Sequence, residues 1–492
     1  MKSDGGTGKR RPKTKHPGFG IAKRTDGVTR RKFLRNTAIV TAGAIVGPKF
    51  YVPGWAQTRA KSKIVRAFHP DATTGWSQVN QEPVTIMVHA AVCELTGIDN
   101  TADAWKSLFP GMTTASKVAI KINLACGDVP THPEMVNAII DGLLMIDLEG
   151  GPLPEENIIV HDMDNAFFCA QTGYVQNWGG PGVQYVGTDH PSLGWDNAYV
   201  FPISHPHGSI TNHKPSKIIT QHCDYFINAA VIKDHSDSDV TLCLKNHYGS
   251  FSNVPISQLH QHGYYGDGHT RGEPEFNRLL RDELGDKTKL WLIDGTYGLF
   301  DGGPGYVPPY HTPPNWAYNS VIVGFDPVAI DRIGTEKINE ERIKHKDDPI
   351  PPSPLILDPS HVTAAAGAPY DLGTDDPGNI DLVEFDASAT TGVDDFRPGP
   401  GREPLLTTYP NPTRAVSNVR FSCPRDGDVE MVVVDVRGRL VRRIAQGRYS
   451  RGMHHLQWDG RDEGGRAVAS GIYFCRADIA GRRRQRRIVV LR

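Results

Sequence analysis

The chain holds only seven cysteines in 492 residues, and no two of them stand as Cys-x-x-Cys. That scatter excludes a local thiolate zinc site and a ferredoxin-type iron–sulfur cluster. Long apolar runs are also missing: the weakly apolar stretch from Ala38 to Val46 is too short to span a bilayer. Nor does the sequence contain a dinucleotide-binding fingerprint, a phosphate-binding P-loop or a serine nucleophile elbow. The reaction class is therefore not written in a short motif.

What is present begins with Thr29-Arg30-Arg31-Lys32-Phe33-Leu34, a twin arginine followed by Phe-Leu after a long basic leader. The short apolar run follows, and Gly54-Trp55-Ala56 offers small residues at the two positions a signal peptidase reads. This is the pattern of a twin-arginine export signal over residues 1–56. It predicts a periplasmic, cell-surface or secreted protein that folds before export, with the twin-arginine translocase as a partner. A cofactor inserted before export is compatible with that route.

The formal net charge of −1 hides a strong asymmetry. Residues 1–56 hold 13 Lys/Arg against 2 Asp, a net +11. From Thr408 to the end there are 18 Arg, no Lys and 8 acids, a net +10, which leaves −22 for residues 57–407. An acidic middle argues against nucleic acid or an anionic membrane as its partner.

The middle reads as α/β. Val118-Ala-Ile-Lys-Ile-Asn123 is a strand, and Thr131-His-Pro-Glu134 looks like a capping box with Thr131 as N-cap. An amphipathic helix follows on Met135, Ile139, Ile140, Leu143 and Leu144, then a strand at Asn157–His161. The crossover implies parallel strands. Tyr225–Ile232, Leu290–Ile293 and Ser320–Gly324 are further buried strands, and Val84–Leu95 is a helix. The expected fold class is a large α/β domain with a mainly parallel sheet, followed by a small all-β immunoglobulin-like sandwich.

Polar residues gather where these strands end, and open α/β sheets bind ligands at the carboxyl ends of their strands. Lys121 and Asn123 close the first strand, and Lys121 inside an apolar strand needs a partner. His161 and Asp162 close the second, as a site pair or a capping pair. Lys233, His235, Lys245, Asn246 and His247 lie in one dense segment from Lys233 to Gly249. Histidine serves as acid, base or metal ligand, and lysine holds anions or forms adducts. Asp294-Gly295 reads as a turn, and Asp326-Pro327 as a helix N-cap that does not exclude a site role. The candidate catalytic residues are Lys121, Asn123, His235 and Lys245. Lys233, Asn246 and Asp326 are the candidate ligand-binding residues. His161, Asp162 and His247 are candidate metal ligands. His260, His262 and His269 in a Gly/Tyr-rich loop fit no standard metal spacing.

The middle domain, over roughly residues 63–387, resembles the bacterial and archaeal family called domain of unknown function 362. The matching segments are Lys117–Leu124, Thr131–Glu134, Asp224–Gly249 with its Leu-Lys-Asn-His-Tyr-Gly core, and Gly324-Phe-Asp-Pro-Val-Ala-Ile-Asp331. The resemblance implies no settled activity. Some members carry iron–sulfur modules, but this chain lacks such a cysteine motif. A weaker likeness, to the nickel-pincer lactate racemases, implies an acid–base role for His235 and a cofactor-anchor role for Lys245. Asn246-His247-Tyr248 replaces the Gly-rich run expected there.

After a linker at 388–407, alternating strands with Gly/Asp turns from residue 408 onward indicate a β-sandwich. It resembles the immunoglobulin-like domain of flagellar hook-capping proteins and the C-terminal sorting domain of type IX secretion cargo, which implies the type IX machinery as a second partner. The terminal Arg482-Arg-Arg-Gln-Arg-Arg487 fits such a tail or the exposed face of a last hairpin. Cys423 and Cys475, on two predicted strands, are a disulfide pair or two free core thiols. Two functions stay open: an exported α/β enzyme, with metal or cofactor unspecified, and a non-catalytic surface protein that binds a ligand or envelope partner.

Overall fold

The β-branched runs pair into one central sheet. The computed structural model describes residues 61–492 except 76–77, 126–128, 205–209, 236–237, 253–271, 304–315, 350, 357–358, 390–405, 410, 415, 424 and 451. The export signal, the three loop histidines His260, His262 and His269, and most of the linker lie outside the described residues.

The strands of the α/β region are β1 (Ser62–Phe68), β2 (Val118–Ile122), β3 (Ile158–Asp162), β4 (Gln184–Gly187), β5 (Phe201–Ser204), β6 (Ile210–His213), β7 (Tyr225–His235), β8 (Asp239–Thr241), β9 (Thr288–Leu299), β10 (Ser320–Gly324) and β11 (Ile380–Asp386). The central sheet runs β11-β1-β10-β9-β7-β2-β3-β4, with β8 folded back on β7, while β5 and β6 form a separate hairpin. β10 is antiparallel to both its neighbours; β2, β3, β4, β7 and β9 are mutually parallel.

Alternation along the strands supplies two apolar faces. Val118, Ile120, Ile122 and Ile227 pack against α1 (Gln81–Thr96), α2 (Thr101–Ser107) and α3 (Pro133–Met145). On the other face, Ala119, Ile159 and Phe226 meet α4 (Lys217–Gln221) and, beyond α5 (Cys243–Asn246), α6 (Gly272–Asp282). Ala230, Ile232 and Ile293 meet α7 (Pro327–Lys344) and α8 (Ser360–Ala366). A sheet buried on both faces explains why its strands read as continuous apolar runs.

Two expectations are corrected. Thr131 is not the cap of α3; the N-cap is His132, without a side-chain cap bond. The Thr131 hydroxyl instead accepts from the Asn123 N–H and donates to Ala229 O, both at 2.9 Å, tying the end of β2 to β7. Asp294-Gly295 is not a turn. It sits inside β9, where Gly295 lets Tyr318 and Ser320 approach to distances a Cβ would block.

The C-terminal region is all-β and antiparallel: β12 (Leu406–Tyr409), β13 (Ser417–Cys423), β14 (Gly427–Asp435), β15 (Leu440–Tyr449), β16 (Gly452–Trp458), β17 (Gly471–Ile479) and β18 (Arg482–Val490). The sheets β12-β13-β16 and β15-β14-β17-β18 enclose Val419, Phe421, Val433, Trp458, Ile479 and Ile488. Cys423 and Cys475 are both free and buried. The sandwich meets the α/β region through Arg420 of β13, whose guanidinium pairs with Asp141 of α3. No helix among the described residues is long and apolar enough to cross a membrane.

Candidate functional site

The carboxyl ends of β2 and β3 are joined by a buried ion pair. Lys121 Nζ donates to Asp162 Oδ1 at 2.7 Å and to Ile122 O at 2.6 Å, with Asn246 Oδ1 at 3.4 Å. Asp162 also accepts the amides of Leu124 (2.6 Å) and Met163 (2.7 Å). Such saturation is what lets a pair this deep survive its desolvation. Lys121 and Asp162 therefore position the ends of β2 and β3; neither offers an uncommitted group to a substrate.

Asn246 locks helix α5 onto this pair. Its amide donates to Asn228 Oδ1 at 2.8 Å and to Lys121 O at 3.2 Å, and Asn228 donates in turn to Cys243 O at 2.9 Å. From α7, Asp331 accepts the Cys243 and Leu244 amides at 2.8 Å each, supplying partners for the open first turn of α5. Gly249 closes the arrangement. A Cβ there would stand 2.9 Å from Met163 Cβ, 3.1 Å from Asp162 Oδ1 and 3.3 Å from Lys121 Cε. The glycine of the Leu-Lys-Asn-His-Tyr-Gly core is thus explained by packing on the ion pair. The place beside Lys245 where a Gly-rich turn would lie is filled by Asn246.

His161 pairs in register with Lys121, and its ring packs edge-on against Phe226 at 5.5 Å between centroids. Neither ring nitrogen of His161 has a hydrogen-bond partner among the described residues. His247 lies against the same Phe226 ring (5.4 Å), with Nδ1 at 3.1 Å from Ser250 Oγ. Burial, reinforced by the Lys121 charge, holds both pKa values down: His161 well below the usual imidazole range, His247 at about 3. The expected metal grouping of His161, Asp162 and His247 is not seen as such. Asp162 is committed to Lys121 and two amides, and among the described residues no three His, Cys, Asp or Glu side chains group so as to hold a metal ion.

These two neutral rings carry a pH signature. Their folded pKa values lie below the unfolded value of 6.5, so below that pH the unfolded chain binds more protons. The stability they contribute is complete above about pH 6.5 and is lost as pH falls, for His247 down to about 3. Asp234 and Asp331 act with the opposite sign, because burial raises them to about 6 and about 7. Urea unfolding between pH 4 and 6.5 separates the two. His247→Gln is expected to reduce the proton uptake on unfolding by up to about one proton per molecule. An unchanged pH slope in that variant would contradict a buried neutral His247.

Further out, β7 runs beyond the ends of β2 and β3. Asn228 is level with Lys121, so Lys233 and His235 lie five and seven residues on, about 16 and 23 Å at 3.3 Å per residue. Lys233 Nζ donates to Asn123 Oδ1 (2.9 Å), Ala125 O (3.2 Å) and Val129 O (3.4 Å). β8 folds back so that Thr241 pairs with Lys233, and Lys245 Nζ reaches Thr241 Oγ1 at 3.4 Å. His235 Nδ1 accepts the Ser238 amide at 3.2 Å. The predicted residues thus fall into two levels: Lys121, Asp162, Asn246, His161 and His247 in a buried layer, and Lys233, Asn123, Lys245 and His235 above it. Lys121 and His235 are not in direct reach of one another.

Asp326 belongs to neither level. Because β10 runs antiparallel, its end lies at the opposite edge of the sheet. There Asp326 caps α7 through the Val328 and Ala329 amides (2.9 Å each) and holds Ser62 Oγ (2.6 Å) and the Thr374 amide (3.1 Å). The expected N-cap is therefore borne out, and the carboxylate is engaged as a structural cap away from the other candidate residues. Two contributors escaped the sequence reading. Asn228 had a visible signal, a lone amide inside the apolar run Tyr225–Ile232. Asp331 was visible only as the end of a matching segment, because its target amides are 88 and 87 residues away.

Two family models match separate stretches of the chain. Residues 118–336 match the model of the family described as Domain of unknown function (DUF362), and residues 413–480 match the FlgD Ig-like domain. No curated protein matches the chain. Among solved structures, FlgD from P. aeruginosa is 26% identical over 15% of this chain and 60% of that one, at TM-score 0.14. Dimeric latent PorU from Porphyromonas gingivalis is 19% identical over 18% of this chain and 10% of that one, at TM-score 0.15. A Thermotoga maritima protein is 11% identical over 53% and 58%, at TM-score 0.29. The chain spans less than two thirds of the length of each of these three. What the chain is similar to is thus, over residues 118–336, the domain of unknown function 362 family and, over residues 413–480, the FlgD immunoglobulin-like domain.

Proposed function

We propose that the α/β region is an exported enzyme that binds a small anionic molecule over the carboxyl ends of β2 and β7. Lys233 and Lys245 supply positive charge, Asn123 orients Lys233, and His235 is a proton-transfer group. One observation carries the reading: β7 and its return strand β8 project past the ends of β2 and β3, with the Lys233 ammonium held over the end of β2 by Asn123 and Lys245 Nζ at Thr241, the register partner of Lys233. Two lysines at one edge make its local charge positive, which favours a bound anion. The buried layer below holds the edge in place: Asp162 fixes Leu124, and the neighbouring Asn123 reaches Lys233. The twin-arginine leader exports the protein, and the immunoglobulin-like domain serves as its sorting or tethering module, with the type IX machinery as the candidate receiver.

A second reading, ligand binding without catalysis, is favoured by the saturation of Lys121 and Asp162, which leaves the buried layer structural. The test is a thermal-shift panel of monocarboxylates, dicarboxylates, phosphate and sulfate on the full chain, with Lys245→Ala and His235→Ala beside it. An anion at about 100 times its Kd stabilises by about 2.7 kcal/mol. At least one anion class should raise the wild-type midpoint by a few degrees, and Lys245→Ala should lose that rise. If no class moves the midpoint, or Lys245→Ala responds like wild type, the proposed site is wrong. Retained binding in His235→Ala supports its proton-transfer role over a binding one.

A further inference from the structure

A second histidine stands at the same edge, on the face covered by α1 and α3. His132 Nδ1 lies 2.9 Å from Asp294 Oδ2, and the same carboxylate oxygen accepts the His132 backbone amide at 2.7 Å. Thr296 Oγ1 donates to Asp294 Oδ1 at 2.7 Å, which turns its lone pair toward His132 Nδ1 at 2.9 Å. Every group facing Nδ1 is then an acceptor, so the neutral ring carries its proton there. Nε2 is left as the basic nitrogen. It makes no hydrogen bond among the described residues, and the side chain keeps 14% of its surface exposed.

Asp294 is fully buried inside β9, so its position is set by the strand. The dyad is close to the lysine level. Val231 of β7 pairs with Asp294, and Lys233 is two residues further on, about 7 Å along the strand. One short segment touches both: Val129 O accepts Lys233 Nζ, and three residues later His132 meets Asp294. His235 has the complementary tautomer. Its Nδ1 accepts the Ser238 amide, so a neutral His235 carries its proton on Nε2.

We propose that His132 and Asp294 form the acid–base dyad of the carboxyl-edge site, with His132 Nε2 taking a proton from an anionic substrate beside Lys233 and later returning it. The inference rests on the reading of that edge as an anion site. The step is balanced as a proton transfer alone: a C–H or O–H bond of the substrate breaks, an N–H bond forms at Nε2, and no electrons leave. Asp294 acts as a positioning residue that holds the ring and stabilises the imidazolium. Burial opposes the charged ring, but the Asp294 and Glu134 carboxylates outweigh it, and the His132 pKa is raised. The other titratable groups around the dyad are Tyr297, in ring contact with His132, and Tyr174, whose hydroxyl donates to Thr131 O at 2.8 Å.

The test is nitrogen-15 histidine NMR on the full chain, with and without malonate, together with calorimetric titration of malonate. Wild type should show one histidine, absent from His132→Gln, whose neutral form is protonated at Nδ1 and whose pKa exceeds that of free imidazole. In Asp294→Asn, which still accepts the His132 amide, that pKa should fall below the wild-type value. Malonate should shift the same resonance. A neutral form protonated at Nε2, or a pKa at or below that of free imidazole, overturns the dyad even if malonate binds. If calorimetry shows no malonate binding, the dyad's role toward a dicarboxylate fails, whereas the anion-site reading fails only if no class of the thermal-shift panel binds. If Asp294→Asn does not fold, the wild-type tautomer and pKa, assigned through His132→Gln, still decide the matter.

Discussion

Asp141→Ala is expected to be among the most damaging single substitutions in this protein, at a cost of about 3–5 kcal/mol. Asp141 lies on α3 and Arg420 on β13, and each side chain is about 1% exposed. Truncating the carboxylate leaves a guanidinium buried with its partner removed, and that uncompensated charge dominates the cost. His89, held neutral by burial and by Arg420, uses Nδ1 to accept the Trp105 indole N–H at 2.9 Å. A further contact between the two regions is weaker: Asn411 lies 3.5 Å from Glu155, near Arg486 and Arg487. Urea unfolding should move to a lower midpoint and split into separate sandwich and α/β transitions. A single transition at the wild-type midpoint would show that the pair does not hold the two regions together.

The second large effect is at Asp162. Asp162→Ala strands the Lys121 ammonium in the buried layer and frees the Leu124 and Met163 amides, again at about 3–5 kcal/mol. Lys121→Met in the same chain should recover part of that loss, because removing both charges costs less than removing one. The combination therefore distinguishes a buried pair from two independent surface groups. Denaturant midpoints for the two single variants and the double variant check it. Additive losses, or a loss below about 0.5 kcal/mol for Asp162→Ala, would contradict the geometry.

Much of this architecture was legible in the chain, and the reasons differ by element. Ser320–Gly324 and Val118–Ile122 were readable because short β-branched runs flanked by polar residues have few alternatives. The length of β7 was not. Lys233, Asp234 and His235 look like loop residues, yet β8 and the Arg342–Asp234 pair hold them in strand geometry. Asp294-Gly295 has the composition of a turn but takes its conformation from the pairing of β9 with β7 and β10, a tertiary effect that local composition does not carry. The same blindness hid the dyad, because His132 and Asp294 are 162 residues apart. Asp326 shows the converse case: its N-cap was legible, its place at the sheet edge was not. The rule that ligands bind at strand carboxyl ends holds for parallel strands, and the reversed direction of β10 removes Asp326 from that edge.

The most direct test of the carboxyl-edge site is a crystal structure of the full chain grown in malonate, read at Lys233, Lys245 and His132. The account predicts electron density for the dicarboxylate within hydrogen-bond distance of Lys245 Nζ, on the side of the edge that carries Lys233 and His132. Malonate elsewhere, with Lys245 and His132 contacting only protein or solvent, would contradict it and return these residues to a purely structural role.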